Sequence, residues 1–284
     1  MNSFNSSLWM VTFFLGVISL WSPFIDNSIM QRWFSPENFN KVVVLPCVTA
    51  ALIVYFFYYN SKESWGFFHT AFKFNGPAIK KLLSLGFPAA GQMLFEVGVF
   101  SLTSMLAGRL GAKQLAAHQI VLNIASFTFM VPLGFSAAAA IRVGQYLGQG
   151  ERQKAKLAGW SALGIGILFM ALSGICLFVF NRNLLGIFTS DQEVIALGHK
   201  LLIVAALFQV FDGTQVVGTG ALRGVGNTKT PMLANFFGYW IIGLPIGATI
   251  CFYFGGGVLG LWIGLTIGLI FVAARVLFSW IKSV

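Results

Sequence analysis

The sequence predicts an all-α polytopic membrane protein with about eight transmembrane helices. Hydrophobic residues make up 57% of the 284 and charged residues only 9%, where an ordinary soluble domain carries about 25% charged residues. Mean hydropathy is +0.81. The apolar residues also come in runs long enough to cross a bilayer, which takes roughly 20 residues per helix. A soluble core has no use for so much apolar sequence.

The runs justify the elements in order. The first, Leu8 to Ile25, is cut short by Pro23 and Asp26. It has no Lys or Arg before it and no small-residue cleavage pattern after Trp21-Ser22-Pro23, so it reads as a span and not as a secretory leader. Lys41 to Tyr59 is the second. Leu82 to Leu106 and Gln119 to Leu147 follow, carrying Pro88 and Pro132, which should bend them. Leu157 to Phe180 is uninterrupted. Lys200 to Leu222 ends in Gly218-Thr219-Gly220 and Gly224-Val225-Gly226, and these glycines are expected to loosen the helix into its loop, as transporters do at hinges, although glycine is also simply common in membrane helices and locates no site by itself. Met232 to Phe254 contains Pro245, and Val258 to Ile281 completes the set.

Net charge is +10, but the cations are spread over the loops and do not form one basic face, which excludes a nucleic-acid surface. Counted by alternate loops, one side holds Lys62, Lys73, Lys80, Lys81, Arg152, Lys154, Lys156, Arg223, Lys229, Arg275 and Lys282. The other holds Arg32, Lys41, Arg109, Lys113, Arg182 and Lys200. The richer side is expected to be cytoplasmic, which puts both termini inside a cell (plasma) membrane protein. Arg142 falls near the cytoplasmic end of its span, where it can snorkel.

Cys47, Cys176 and Cys251 stand alone in apolar runs and read as small packing residues, with no disulfide or zinc spacing. His69 and His199 are placed at loops or span edges, and His118 just before the fourth span. No transition-metal site is expected, and no G-x-x-x-x-G-K loop is present. The chain is therefore expected to be no enzyme, to need no cofactor and to draw nothing from an ATPase site of its own.

Glu96 and Asp212 are the only acids inside the long apolar runs. A carboxylate at such depth costs about 2.5–3.5 kcal/mol even on lenient insertion scales, so it normally faces an interior site. No Lys, Arg or His is read as mid-span to pair with either. Neutrality is then left to a proton, a bound metal cation or a cationic substrate, and such a pair suits proton exchange near neutral pH.

Neutral polar residues extend the pattern. Gln92 stands one turn before Glu96, with Thr103 further along the same face. Gln119, Asn123 and Ser126 form a stripe in the fourth span; Gln209, Asp212 and Gln215 are spaced by three in the sixth; Asn235 and Tyr239 are four apart in the seventh. Taken singly, neutral residues of this kind serve equally well as hydrogen-bonding glue between helices. The candidate cation or proton site is Glu96 with Asp212. Candidate cavity-lining residues are Gln92, Asn123, Phe208, Gln209, Gln215 and Tyr239.

Several ordered motifs carry a resemblance. Leu85-Gly86-Phe87-Pro88-Ala89-Ala90 leading to Phe95-Glu96, then Gly108-Arg109-Leu110-Gly111 and Leu115-Ala116-Ala117-His118-Gln119-Ile120, resemble the seventh and eighth helices of the multidrug and toxic compound extrusion (MATE) family, NorM-like branch. Phe129-Met130-Val131-Pro132-Leu133-Gly134 and Arg142-Val143-Gly144-Gln145 fit the same stretch. Phe208-Gln209-Val210-Phe211-Asp212, Gln215-Val216-Val217, Gly220-Ala221-Leu222-Arg223-Gly224 and Asn227-Thr228-Lys229-Thr230-Pro231 resemble the tenth helix and the loop after it. Tyr239-Trp240 with Gly243-Leu244-Pro245-Ile246-Gly247 resembles the eleventh.

The resemblance implies antiport, in which H+ or Na+ runs down its gradient while a small organic compound, often cationic and aromatic, leaves the cell. It implies two six-helix lobes facing a central cavity, with Glu96 and Asp212 in the cation site of the C-lobe. Phe208, one turn before Asp212, can pack on substrate or supply weak cation–π attraction. Residues 80–284 are expected to form the six-helix C-lobe and residues 61–79 a cytoplasmic linker. Residues 1–60 leave room for two helices of the N-lobe, as a shortened gene product or an internal start would.

The expected function is therefore a cation-coupled drug exporter, alone or with a second copy or a separately encoded N-half. The alternative is a non-transporting remnant or assembly subunit. A lipid-linked precursor flippase shares the fold but calls for a more basic cavity.

Overall fold

A computed structural model describes residues 76–283. The chain divides into two compact units, Met1–Phe74 and Asn75–Val284, and the described residues belong to the second. The first two expected spans, the linker through residue 75, Cys47 and His69 lie outside the described residues.

Seven helices occupy the described residues: α1 Gly76–Arg109, α2 Ala112–Gly148, α3 Arg152–Val179, the short α4 Asn181–Phe188, α5 Gln192–Gly224, α6 Lys229–Tyr253 and α7 Gly257–Ser283. All but α4 are long and apolar enough to cross a membrane. They coincide with the last six apolar runs, most of them reaching beyond the run into polar residues. The start of α5 shows why: the Asp191 side chain accepts hydrogen bonds from the backbone N–H groups of Glu193 and Val194, so the helix begins at a cap well before its apolar run.

Large apolar side chains such as Phe87, Leu94, Phe127 and Ile187 point outward, as they must where the solvent is lipid. The interior is held instead by close backbone approach and by hydrogen bonds. α5 is the central helix, packed against α2, α3 and α7, while α6 lies against α7 and α1. A side chain on Gly213 would meet Met170, one on Gly218 would meet Val276, and one on Gly220 would run into the Ser136 carbonyl. The Ser136 hydroxyl closes that last contact by donating to the Val216 carbonyl at 2.7 Å.

These contacts correct the expectation that glycines loosen the end of α5. The helix runs unbroken through Gly218 and Gly220 to Gly224, because small residues in a membrane bundle let neighbouring backbones close up. The chain turns only at Gly226, whose φ of 81° suits glycine.

The irregular backbone is in α6. Lys229–Asn235 is α-helical, Phe236–Gly243 is π-helical, Leu244–Ala248 returns to α geometry and Thr249–Tyr253 is π-helical again. Pro245 lies just after the first wide segment, where its ring denies a backbone donor to the preceding turn. Gly243 and Gly247 of α6 meet Gly264 of α7 backbone to backbone. Pro88 and Pro132 lie within continuous helices.

Two smaller expectations also change. Cys251 is buried, but Cys176 is exposed on α3 and does not pack. His118 lies inside α2, fully buried, and not ahead of it. Its Nδ1 accepts from Trp262 Nε1 at 3.0 Å, which leaves Nε2 to carry the hydrogen and donate to the Ser104 hydroxyl at 2.9 Å.

Candidate functional site

Three helices bring the site together. α1 supplies Gln92 and Glu96, α5 supplies Asp212, Gln215 and Arg223, and α6 supplies Asn235 and Tyr239. Asn235 Nδ2 donates to Glu96 Oε2 at 3.1 Å. One residue away, Trp240 Nε1 donates to the Phe95 carbonyl at 3.0 Å, which pins α6 to α1 beside the carboxylate. Tyr239 belongs to the first π segment of α6, a widening that is frequent at functional sites.

The charge of Glu96 acts on Asp212, Tyr239 and Arg223, and that of Asp212 acts on Tyr239. Gln92 and Gln215 also flank Glu96. Asp212 is 8% exposed and Tyr239 wholly buried, while Glu96 keeps partial exposure.

Several polar atoms around the acids have no partner. Gln215 Oε1, Asn235 Oδ1, the Tyr239 hydroxyl and Thr219 Oγ1 are buried without a hydrogen bond, while the Gln215 amide nitrogen is turned to Glu96. A buried polar group left unpaired costs about 1–3 kcal/mol, so the cluster offers oxygen donors to whatever enters it. Carboxylate, amide and phenol oxygens are hard donors suited to a hard cation or a proton. No group of three His, Cys, Asp or Glu side chains suited to a metal ion occurs among the described residues.

The other candidates fall into separate surroundings. Gln209 is buried, but its Nε2 donates to Thr128 Oγ1 at 2.5 Å on α2. Asn123 lies half-buried on α2 with no hydrogen bond to either acid. Phe208 is buried edge-on against Phe100 and Trp262, with ring centroids at 6.3 and 6.0 Å. Phe100 in turn meets Tyr239 at 6.2 Å, so Phe208 is one ring removed from the acids. Thr103 is satisfied by its own helix, donating to the Val99 carbonyl. A cavity of about 340 Å³ lies elsewhere, lined by Ser84, Leu85 and residues 225–229.

Arg223 is the residue that the sequence reading misplaced. Its place just past an apolar run suggests a loop, with no cation beside the acids. In the structure it occupies the last turn of α5, half-buried, and its Nη2 donates to Gln92 Oε1 at 2.9 Å. The signal was present in the register: Gln215, Thr219 and Arg223 are each one turn apart on one face.

The family model MatE matches residues 88–249, which is more than half of the chain and includes Glu96, Asp212 and Tyr239. The chain belongs to the MatE family.

Its curated relatives include the probable multidrug resistance protein NorM of Mesorhizobium japonicum, 43% identical over 211 residues. That match covers 72% of this chain and 45% of the relative. The multidrug resistance protein NorM of Burkholderia vietnamiensis is 41% identical over 209 residues, covering 72% of this chain and 45% of its own. The crystal structure of the eukaryotic MATE transporter AtDTX14 superposes with a TM-score of 0.67 at 26% identity, over 73% of this chain and 48% of that one. A MATE structure in a straight conformation shares the fold, with a TM-score of 0.74 at 17% identity over 84% of this chain and 54% of its own. This MatE chain spans about half the length of the curated relatives it matches. It is a multi-pass membrane protein of a transporter family, and members of that family are not enzymes.

Proposed function

We propose that this chain forms the cation-coupling lobe of an antiporter that exports small organic compounds across the cytoplasmic membrane. Glu96 and Asp212 take up H+ or Na+, and Gln215, Asn235 and Tyr239 complete the oxygen shell. The observation that carries the reading is the meeting of two carboxylates from α1 and α5 with buried, unpartnered polar atoms from α5 and α6. Residues 80–284 serve as one six-helix body, residues 61–79 as its linker and residues 1–60 as two further spans. A compact unit of six span-length helices, beginning at Asn75, supports the six-helix body. The relatives named as multidrug resistance proteins support organic substrates.

Dye accumulation in a pump-deficient host tests the proposal. The wild-type chain should lower accumulation, and Glu96→Gln or Asp212→Asn, expressed at equal level, should return it to that of the empty host. Alternating access requires two bodies facing one another, and the chain spans about half of its relatives. These two facts favour a second reading, in which the chain is one subunit of an assembly. Wild-type chain that reaches the membrane in full amount yet exports no dye supports that reading over the first.

A further inference from the structure

We infer that Arg223 is an internal counter-cation of Glu96, held at a distance by Gln92 so that it competes electrostatically with the transported cation without occupying its place. The inference rests on the reading of Glu96 as part of the coupling site.

Position comes first. Arg223 ends α5 on the face that carries Gln215 and Thr219, and its guanidinium turns toward α1, where Nη2 donates to Gln92 Oε1 at 2.9 Å. Its Nε is buried and without a hydrogen bond. A guanidinium free to choose would reach outward to water or headgroups, whereas this one is committed to the seam between α1 and α5.

Separation comes second. The ion pairs among the described residues are Lys113 with Glu193 and Lys154 with Glu151, so Arg223 holds no carboxylate in direct contact. It nevertheless lies close enough to Glu96 for each charge to act on the other. Gln92, one turn before Glu96, fills the gap. A direct Arg–carboxylate pair would occupy the oxygens that a cation needs. A charge held one side chain away weakens the cation's hold while leaving Glu96 Oε2 to Asn235 and the entering ion.

Charge balance comes third. The groups facing Glu96 are Asp212, Gln215 and Arg223 from α5, Asn235 and Tyr239 from α6, and Gln92 from its own helix. With both acids ionised and Arg223 counted, the cluster is short of neutrality by a single positive charge. One monovalent cation neutralises it, where the two acids alone would require two.

The test uses the full 284-residue chain in lipid nanodiscs at one fixed pH. Dicyclohexylcarbodiimide is the probe, since it reacts with protonated carboxyls in apolar surroundings, and peptide mass spectrometry reads its rate at Glu96. Arg223→Gln should raise the initial rate about tenfold, the scale on which removal of one nearby charge acts. Arg223→Lys, which keeps the charge, should stay near wild type. An unchanged rate in Arg223→Gln overturns the inference, and so does an equal rise in Arg223→Lys, which would report loosened packing and not charge.

Should Arg223→Gln fail to fold, Arg223→Met supplies the second arm. It removes the charge while keeping an unbranched apolar stem and adds no anion beside Glu96, and it should raise Glu96 labelling too; an unchanged rate overturns the inference. Efflux by Glu96→Gln separates the two claims. If that variant exports normally while labelling still follows Arg223, the coupling role fails and the counter-charge stands. If it is inactive while labelling ignores Arg223, the counter-charge alone fails.

Discussion

Tyr239 is buried to the last atom, yet its hydroxyl has no partner. The ring earns its place by packing against Phe100, but the hydroxyl contributes nothing to the cation-free fold. Tyr239→Phe should therefore leave stability in cation-free buffer unchanged or raise it by up to about 1 kcal/mol, since a buried unsatisfied group is removed. The same variant should lose several-fold in cation-driven efflux. A loss of more than about 1 kcal/mol in a cation-free denaturation curve would mean that the hydroxyl is already bonded, and would end its role as a waiting donor. Residues of this kind were legible wherever a polar side chain interrupts an apolar run: Gln92 with Glu96, and Asp212 with Gln215, share faces by spacing alone and meet in the structure. Spacing names a face but not the neighbour across it. Gln209 has the same spacing from Asp212 as Gln215 and is tied to Thr128 on α2 instead. Arg223 was lost for a different reason, because it directly follows Leu222, where the apolar run stops, and a charge at the end of a run looks like loop.

At the scale of elements, the six long helices were legible from apolar length, while their contacts were not. Transporters break their helices at sites and hinges, and on that pattern the glycines of α5 suggest a hinge. In this bundle they are contact points, and substitution should divide them by what lies opposite. Gly220→Val drives a side chain into the Ser136 carbonyl on α2, and overpacking of this sort costs about 1–3 kcal/mol or more. It should sharply reduce the monodisperse fraction on fluorescence-detected gel filtration. Gly86 of α1 has no atom near the place where a Cβ would stand, so Gly86→Ala should elute as wild type. Equal behaviour of the two variants would contradict the packing described for α5. The π segments of α6 had no counterpart in the sequence reading beyond Pro245. They arise where Gly243 and Gly247 sink against Gly264, a fit between two backbones that neither helix announces separately. Tyr239 lies within the first of these widened turns.

For the whole molecule, the lengths of the helices decide how the chain sits in a membrane, and charge decides which way up. α2 has 37 residues, about 55 Å of helix at 1.5 Å per residue, well beyond a hydrocarbon core of about 30 Å. Its two ends are therefore expected in different aqueous phases. Lys113 at one end is exposed and paired with Glu193 at the start of α5, so α2 and α5 begin on the same side. Arg152, just past the other end, is exposed beside Lys154 and Lys156, on the side that also holds Lys80, Lys81, Lys229, Arg275 and Lys282. By the positive-inside rule we propose that this second side, with Arg223 and the carboxyl terminus, is the cytoplasmic one. Single cysteines test the assignment after Cys47, Cys176 and Cys251 are replaced by serine. Lys113→Cys should react with a membrane-impermeant maleimide in intact cells and Arg152→Cys should not, with the order reversed in inverted vesicles. Replacing Lys113 should leave the fold intact, because exposed ion pairs contribute little. The opposite order would turn the molecule over and place Arg223 on the outer side of the acids. Reaction of both cysteines from one side would deny that α2 crosses the membrane at all.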